Sequence, residues 1–254
     1  MNAQKYYINS MVGKSQIKLI KSLRQKKYRD LNSMFVAEGR KCVGELLKSS
    51  LDCVGVYTDT PEDHKDVNAA LSVVTPQQMK QMSGLKTPAG LLGVFRIPES
   101  SLASRTGITL ALDDVRDPGN LGTIIRLSDW FGIEQIVCSE STVDCYNQKV
   151  VQATMGSLTR VNMIYTDLEN YLRSDTRPVL IADMNGESVY KSQWPEELIL
   201  VMGNEANGIS PEIRAQASGV ISIPQFGVQQ ETESLNVATA TAIILSEFRR
   251  NHPG

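Results

Sequence analysis

The sequence predicts an α/β protein in two parts, and three observations carry that expectation. Strand-like and helix-like segments alternate from residue 14 onward. A polar stretch rich in Ser, Pro and Gly, Pro98 to Gly107, interrupts the alternation once. Leu198 to Ser210 (LILVMGNEANGIS) reads as a buried strand entering a glycine-bounded polar loop. Ser210 and Pro211 then open a helix as N-cap and first helical residue. Open α/β sheets place their ligands at junctions of this kind. The expected domains are therefore 1–97, a linker over 98–107, and 108–254.

With 41% hydrophobic and 21% charged residues, the 254-residue chain has the composition of a soluble globular protein. No apolar run is long enough to cross a membrane, and MNAQKYYINS lacks a signal-peptide core. Cys42, Cys53, Cys138 and Cys145 form no C-x-x-C pair, so no metal site is expected. Free thiols fit a reducing cytoplasm. The net charge of −2 is unevenly spread. Residues 1–48 hold 11 Lys or Arg against 3 Asp or Glu, a net +8, which leaves −10 for the remainder. A basic arm on an acidic body suggests a polyanionic partner met by one end. A solvated helix face gives the same charge pattern.

In the first part, Lys14 to Arg24 reads as a helix with Ile17, Ile20 and Leu23 inward and Lys14, Lys18 and Lys21 outward. Arg24 to Ser33 then mixes Arg24, Lys26, Lys27 and Arg29 with Tyr28, a pattern that suits phosphates and a stacked base. Strands follow at Phe35–Ala37, Val54–Tyr57, Val73–Val74 and Leu91–Phe95, with a helix at Arg40–Lys48.

The second part begins with the strand Ile108–Val115, which ends in two acids. Asp117 and Pro118 start a helix that Gly132 stops, with Leu121, Ile124 and Ile125 facing a core. Asn120 stands at its entrance, and Arg126 about 9 Å further along the axis. Strands are expected at Gln135–Cys138, Val161–Tyr165, Val179–Asp183, Leu198–Met202 and Val220–Ile223. Helices are expected at Tyr146–Ala153, Asp167–Arg173 and Pro211–Ala217. From Leu235 a last helix reads as apolar nearly all round, which calls for burial in a core or against another subunit.

Three polar clusters thus follow predicted strands: Asn120 with Arg126, Gly203 with Glu205, and Ser234 with Asn236. In a parallel sheet all three lie at one edge. Each has an ordinary alternative: Asn120 as a cap, Arg126 as a surface cation, Ser234 as a helix N-cap. Other chemistries lack their residues. There is no G-x-G-x-x-G, Ile209 stands where a P-loop needs lysine, and no G-x-S-x-G is present.

DDVRDPGNLGTIIRLSDWFG, VMGNEANGIS and IPQFG…ESLNVATATAI resemble the three motifs of the SpoU (TrmH-like) RNA 2′-O-ribose methyltransferases of the SPOUT superfamily. IKLIKSLRQKKYRDLNSMFVAEG is similar to that family's substrate-binding domain, itself related to small RNA-binding ribosomal proteins. The resemblance implies a trefoil-knotted α/β methyltransferase domain that binds S-adenosylmethionine and dimerises through the knot. It implies catalytic roles for Asn120, Arg126, Glu205, Ser234 and Asn236, and cofactor contacts at Met202, Gly203, Asn204, Ile223 and Leu235. The Gln225–Glu233 loop is longer than the commonest form.

The implied RNA-binding cations are Lys14, Lys18, Lys21, Arg24, Lys26, Lys27 and Arg29. Ribosomal RNA is the expected substrate, with transfer RNA or a non-catalytic RNA-binding role as alternatives. A homodimer is expected, with no membrane and no metal. Because a guanidinium stays protonated, Arg126 suits a phosphate and a developing alkoxide better than it suits proton abstraction. Glu205 is left to orient Arg126 or to take the proton.

Overall fold

The structure, a computed structural model, describes residues 12–99, 106–227 and 234–253. Most of the expected linker, and residues 228–233 of the long loop, lie outside that range. The described chain forms two units: Met1–Glu99 with Asp144–Thr159, and Ser100–Val143 with Arg160–Gly254.

In the first unit α1 (Lys14–Ser22) turns Ile17 and Ile20 inward and leaves Lys14, Lys18 and Lys21 exposed. A separate helix, α2 (Lys26–Asn32), follows where the sequence shows only mixed cations and one aromatic. Four strands form a mixed sheet: β1 (Met34–Glu38), β2 (Cys53–Thr58), β3 (Leu71–Val73) and β4 (Leu91–Arg96), in the order β1-β4-β2-β3. Helix α3 (Arg40–Lys48) lies between β1 and β2 in the chain. Helix α4 (Pro76–Met82) is held by a reciprocal capping box between Thr75 and Gln78. Ile20, Leu23, Tyr57, Met79, Met82 and Leu92 share one apolar core.

The unit boundaries depart from the expected continuous second domain, because Asp144–Thr159 folds with the first unit. That segment contains helix α6 (Gln148–Thr154). Polar bonds at buried positions anchor it. Arg29 Nε donates to Asp144 Oδ2 at 2.9 Å. Glu38, fully buried, accepts from Ser83 Oγ, Gly84 N–H and Gln148 Nε2. Tyr146 packs on Phe35 with ring centroids 4.9 Å apart.

In the second unit β5 (Ile108–Leu112) and β9 (Leu198–Met202) each bury all five residues, as central parallel strands covered on both faces must. They pair in parallel from Ile108–Leu198 to Leu112–Met202. Around them stand β6 (Gln135–Ser139), β7 (Asn162–Thr166), β8 (Val179–Ser188) and β10 (Gly219–Ser222). The six form a parallel sheet in the order β10-β8-β9-β5-β6-β7. After β5 the chain builds outward through β6 to β7, then crosses to the other side for β8, β9 and β10. The β5/β9 boundary is thus the switch point, whose carboxyl edge opens a crevice.

Helix α5 (Pro118–Trp130) follows β5 and contacts α9 (Val237–Asn251). Helices α7 (Leu168–Arg173) and α8 (Pro211–Arg214) share a core with Val137, Ile181, Ile199 and Val201. Strand β8 runs past its expected end at Asp183, and its pairing with β10 jumps between Val220 and Ile221. Helix α8 stops at Arg214, three residues short of expectation. Helix α9 buries Val237, Ala238, Thr241, Ile244, Leu245 and Phe248 within the chain, while Ala240, Ala242 and Ile243 are only half-buried. The all-round apolar reading is therefore too strong: one face is covered by this chain itself.

Candidate active site

Two acids end β5 and tie the crevice together. Asp113, 6% exposed, donates its N–H to Met202 O at 2.9 Å and accepts the Ser210 N–H on Oδ2 at 2.7 Å. Asp114 takes a left-handed conformation (φ 59°), and its carbonyl accepts from Asn204 Nδ2 at 2.7 Å. The loops after β5 and β9 are thus joined at both ends. The sequence shows an acidic pair closing a buried strand, and that was the available signal for Asp113.

The β9–α8 loop is also closed internally. Asn204 and Gly208 exchange two main-chain hydrogen bonds of 2.9 Å, and Asn204 Oδ1 accepts from the N–H groups of Ala206 and Asn207. A Cβ on Gly203 would lie 2.6 Å from the Gly208 backbone, so the loop tolerates only glycine there. Gly208 itself has φ 67°. Asn204 thus shapes the loop with its amide and main-chain groups, beside the cofactor contact expected of it. Ser210 occupies the N-cap position without a side-chain cap; its N–H serves Asp113 instead.

This fixed loop presents Glu205 to the entrance of α5. Asp117 caps α5 by accepting the Asn120 N–H at 2.8 Å, which leaves the Asn120 side chain free to act. Asn120 Nδ2 donates to Glu205 Oε1 at 2.5 Å, and Asn236 Nδ2 donates to Asn120 Oδ1 at 2.9 Å. Asn236 also caps α9, accepting the N–H groups of Ala238 and Thr239 on Oδ1. One hydrogen-bonded chain, Asn236–Asn120–Glu205, therefore joins three loops at the carboxyl edge.

Ser234 and Arg126 stand outside this chain. Both are exposed, and neither side chain forms a hydrogen bond or ion pair among the described residues. Asn236, rather than Ser234, is the helix cap. Among the described residues Glu205 pairs with Asn120 and not with Arg126, which leaves the proton-accepting role of the two open to it. On α5, Arg126 shares an exposed stripe with Thr123 and Trp130, the last 84% exposed.

Of the seven N-terminal cations, Lys14, Lys18, Lys21, Lys26 and Lys27 are exposed. Arg24 is exposed as well, although its guanidinium donates to the carbonyls of Gln81 and Ser83. Arg29 is corrected: it is 2% exposed and spent on Asp144 and on the carbonyls of Leu23 and Arg24, so no phosphate reaches it.

The residues offered to the cofactor suit a sulfonium nucleoside. Met202 is buried, Gly203 and Ile223 are half-buried, and Leu235 is 48% exposed. These positions supply main-chain groups and apolar side chains. No Lys or Arg occurs in residues 198–210, 219–227 or 234–236 to repel a positive sulfur. Among the described residues no cluster of metal-binding side chains occurs, and no helix is long and apolar enough to cross a membrane.

A six-stranded parallel sheet with a fixed polar chain at the carboxyl edge of its switch point is the arrangement of a ligand-binding α/β enzyme. Residues 107–246 match the model of the SpoU rRNA Methylase family, and residues 14–93 match that of the MRM3-like substrate binding domain. The chain belongs to the SpoU rRNA methylase family.

It is 29% identical over 242 residues to the 23S rRNA (guanosine(2553)-2'-O)-methyltransferase RlmP of Bacillus subtilis (strain 168), covering 92% of this chain and 96% of that one. A solved RNA methyltransferase of the TrmH family from Porphyromonas gingivalis superposes with a TM-score of 0.87 at 39% identity, over 95% of this chain and 99% of that one. An AdoMet-bound rRNA methyltransferase from Sinorhizobium meliloti superposes with a TM-score of 0.81 at 29% identity, over 96% and 97%.

Proposed function

We propose that this chain methylates a ribose 2′-hydroxyl of ribosomal RNA. The observation that carries the reading is the Asn236–Asn120–Glu205 chain, which holds a carboxylate at the switch point beside the nucleoside cradle. When bound, S-adenosylmethionine supplies an electrophilic methyl group on a sulfonium. The ribose oxygen is a weak nucleophile until its proton leaves or its developing charge is stabilised. Glu205 takes that proton on its untied oxygen, and Asn120 keeps the carboxylate in place. Arg126, whose side chain has no partner among the described residues, holds an RNA phosphate and faces the developing alkoxide. Ser234 positions the ribose or its phosphate, and Asn236 anchors Asn120. Met202, Gly203, Ile223 and Leu235 hold the cofactor.

In this reading residues 1–97 bind RNA and 108–254 carry the chemistry, with Asp144–Thr159 serving the RNA-binding unit. The exposed lysines of α1 and α2 support this division, and affinity for RNA should fall steeply with salt. Family membership supports reading the second unit as a knotted domain and the protein as a homodimer. The nearly bare Trp130 on α5 supports a subunit contact, since tryptophan is enriched at the centres of interfaces. Trp130→Ala is expected to shift the protein toward monomer in sedimentation experiments; a wild-type monomer at micromolar concentration refutes the dimer. Four cysteines outside any disulfide support a cytoplasmic setting.

The test of function is transfer of labelled methyl from S-adenosylmethionine to rRNA, with the product mapped by resistance of one phosphodiester to alkali. A single resistant position is expected. Incorporation confined to bases, or to transfer RNA, overturns the reading.

A further inference from the structure

Two aromatic rings stand at the same sheet edge and take no part in the chemistry above. Tyr190 follows the carboxyl end of β8, and Phe226 follows that of β10. The two strands end side by side, with Ser188 opposite Ser222 in a parallel pair and Val189 N–H donating to Ser222 O at 2.9 Å. The rings meet with centroids 6.4 Å apart and planes inclined by 35°.

Neither ring belongs to the core: Tyr190 is 47% exposed and Phe226 83% exposed. Tyr190 is nonetheless held firmly. The N–H groups of Lys191 and Ser192, the residues after it, both donate to Ser188 O, and Trp194 Nε1 donates to Val189 O. Pro224 restricts the backbone leading to Phe226. A pair of large apolar faces is thus fixed beside the cofactor loops and turned to solvent.

We infer that Tyr190 and Phe226 form a stacking platform for an unpaired RNA base flanking the reacting ribose. The inference rests on the methyl-transfer reading above. Strands in a sheet are about 4.8 Å apart, so β8 and β5 are separated by about 10 Å. That distance sets the platform beside the Asn120–Glu205 pair rather than on it, and assigns it a neighbouring nucleotide. A 2′-oxygen reaches an enzyme most readily in unstacked RNA, and the exposed base faces then need a new surface. Lys191, exposed and adjacent to Tyr190, supplies a cation for the accompanying phosphate.

The experiment uses the full-length protein with Phe226→Ala, Phe226→Leu and Phe226→Trp, each paired with calorimetry of S-adenosylmethionine binding. Two RNA readouts are taken. One is KM for rRNA in methyl transfer. The other is quenching of 2-aminopurine placed in a single-stranded RNA, which needs no methyl transfer. Loss of one base–aromatic stack corresponds to about a 5- to 150-fold rise in KM for Phe226→Ala. Phe226→Trp is expected to retain quenching and KM, and Phe226→Leu to behave as the alanine variant, because leucine has no π-face.

Three outcomes overturn the platform: Phe226→Leu matching wild type, a fall in cofactor affinity for Phe226→Ala, or a change in its oligomeric state. The second outcome gives the ring to the cofactor and the third to a subunit contact. Wild-type protein that quenches 2-aminopurine but methylates no rRNA leaves the platform standing and removes the proposed reaction instead.

Discussion

Asn120 donates its side-chain amide to the carboxylate of Glu205 at 2.5 Å, across 85 residues of sequence. The bond fixes which oxygen of Glu205 is tied and leaves the other open to a ligand. Asn236 holds the far side of the same amide, so Asn120 cannot turn away without breaking a second bond.

Replacing Asn120 by Ala should therefore loosen Glu205 without removing it. Misplacing a reacting group by about 1 Å costs about 100-fold in rate, and a loss of that order in single-turnover methylation is expected. Cofactor affinity should be little changed, because the proposed cofactor contacts lie on other residues. If calorimetry shows cofactor binding lost instead, the network is part of the cradle.

Arg126→Ala should cost about 2.7–4 kcal/mol of transition-state stabilisation, by analogy with removal of one oxyanion donor. Arg126→Lys should recover little, because an ammonium cannot hold a phosphate and face an oxygen with one planar fork. Since Arg126 is exposed and unpaired among the described residues, thermal stability should be unchanged. Near-normal single-turnover rates for the alanine variant would remove Arg126 from the mechanism.

Gly203→Ala places a methyl group 2.6 Å from the Gly208 backbone. The loop must open to admit it, at about 1–3 kcal/mol for overpacking. Cofactor affinity should fall with stability, read by calorimetry and denaturant titration on the same sample. A variant with normal affinity would mean the loop main chain does not touch the cofactor.

Asp144→Ala leaves the buried Arg29 guanidinium without its carboxylate. Breaking such a pair from one side typically costs about 3–5 kcal/mol. The Arg29→Met, Asp144→Leu double variant should recover much of that, since apolar replacement of both partners removes the unpaired charge. Urea unfolding of the two variants beside wild type measures the difference, and equal losses in the single and double variants would contradict it.

The sequence by itself determined the alternation of strands and helices, the buried character of β5 and β9, and the identity of the polar groups at their ends. Each is a local property: a run of apolar residues, a period, or a proline after an acid. It also marked the SpoU motifs, which lie within single junctions. Only the tertiary structure decided which of those groups meet. Asn120 and Asn236 are 116 residues apart, and their contact depends on β9 lying next to β5 with α9 packed on α5.

The same reason explains what was misread. Arg29 carries the composition of an RNA contact, yet it is buried because Asp144, 115 residues later, folds back to meet it. Asn204 reads in the sequence only as a polar loop residue; its loop-forming bonds go to neighbours that only the closed loop brings within reach. Residue type and spacing state what a side chain is able to bond, whereas strand order decides which partner arrives first.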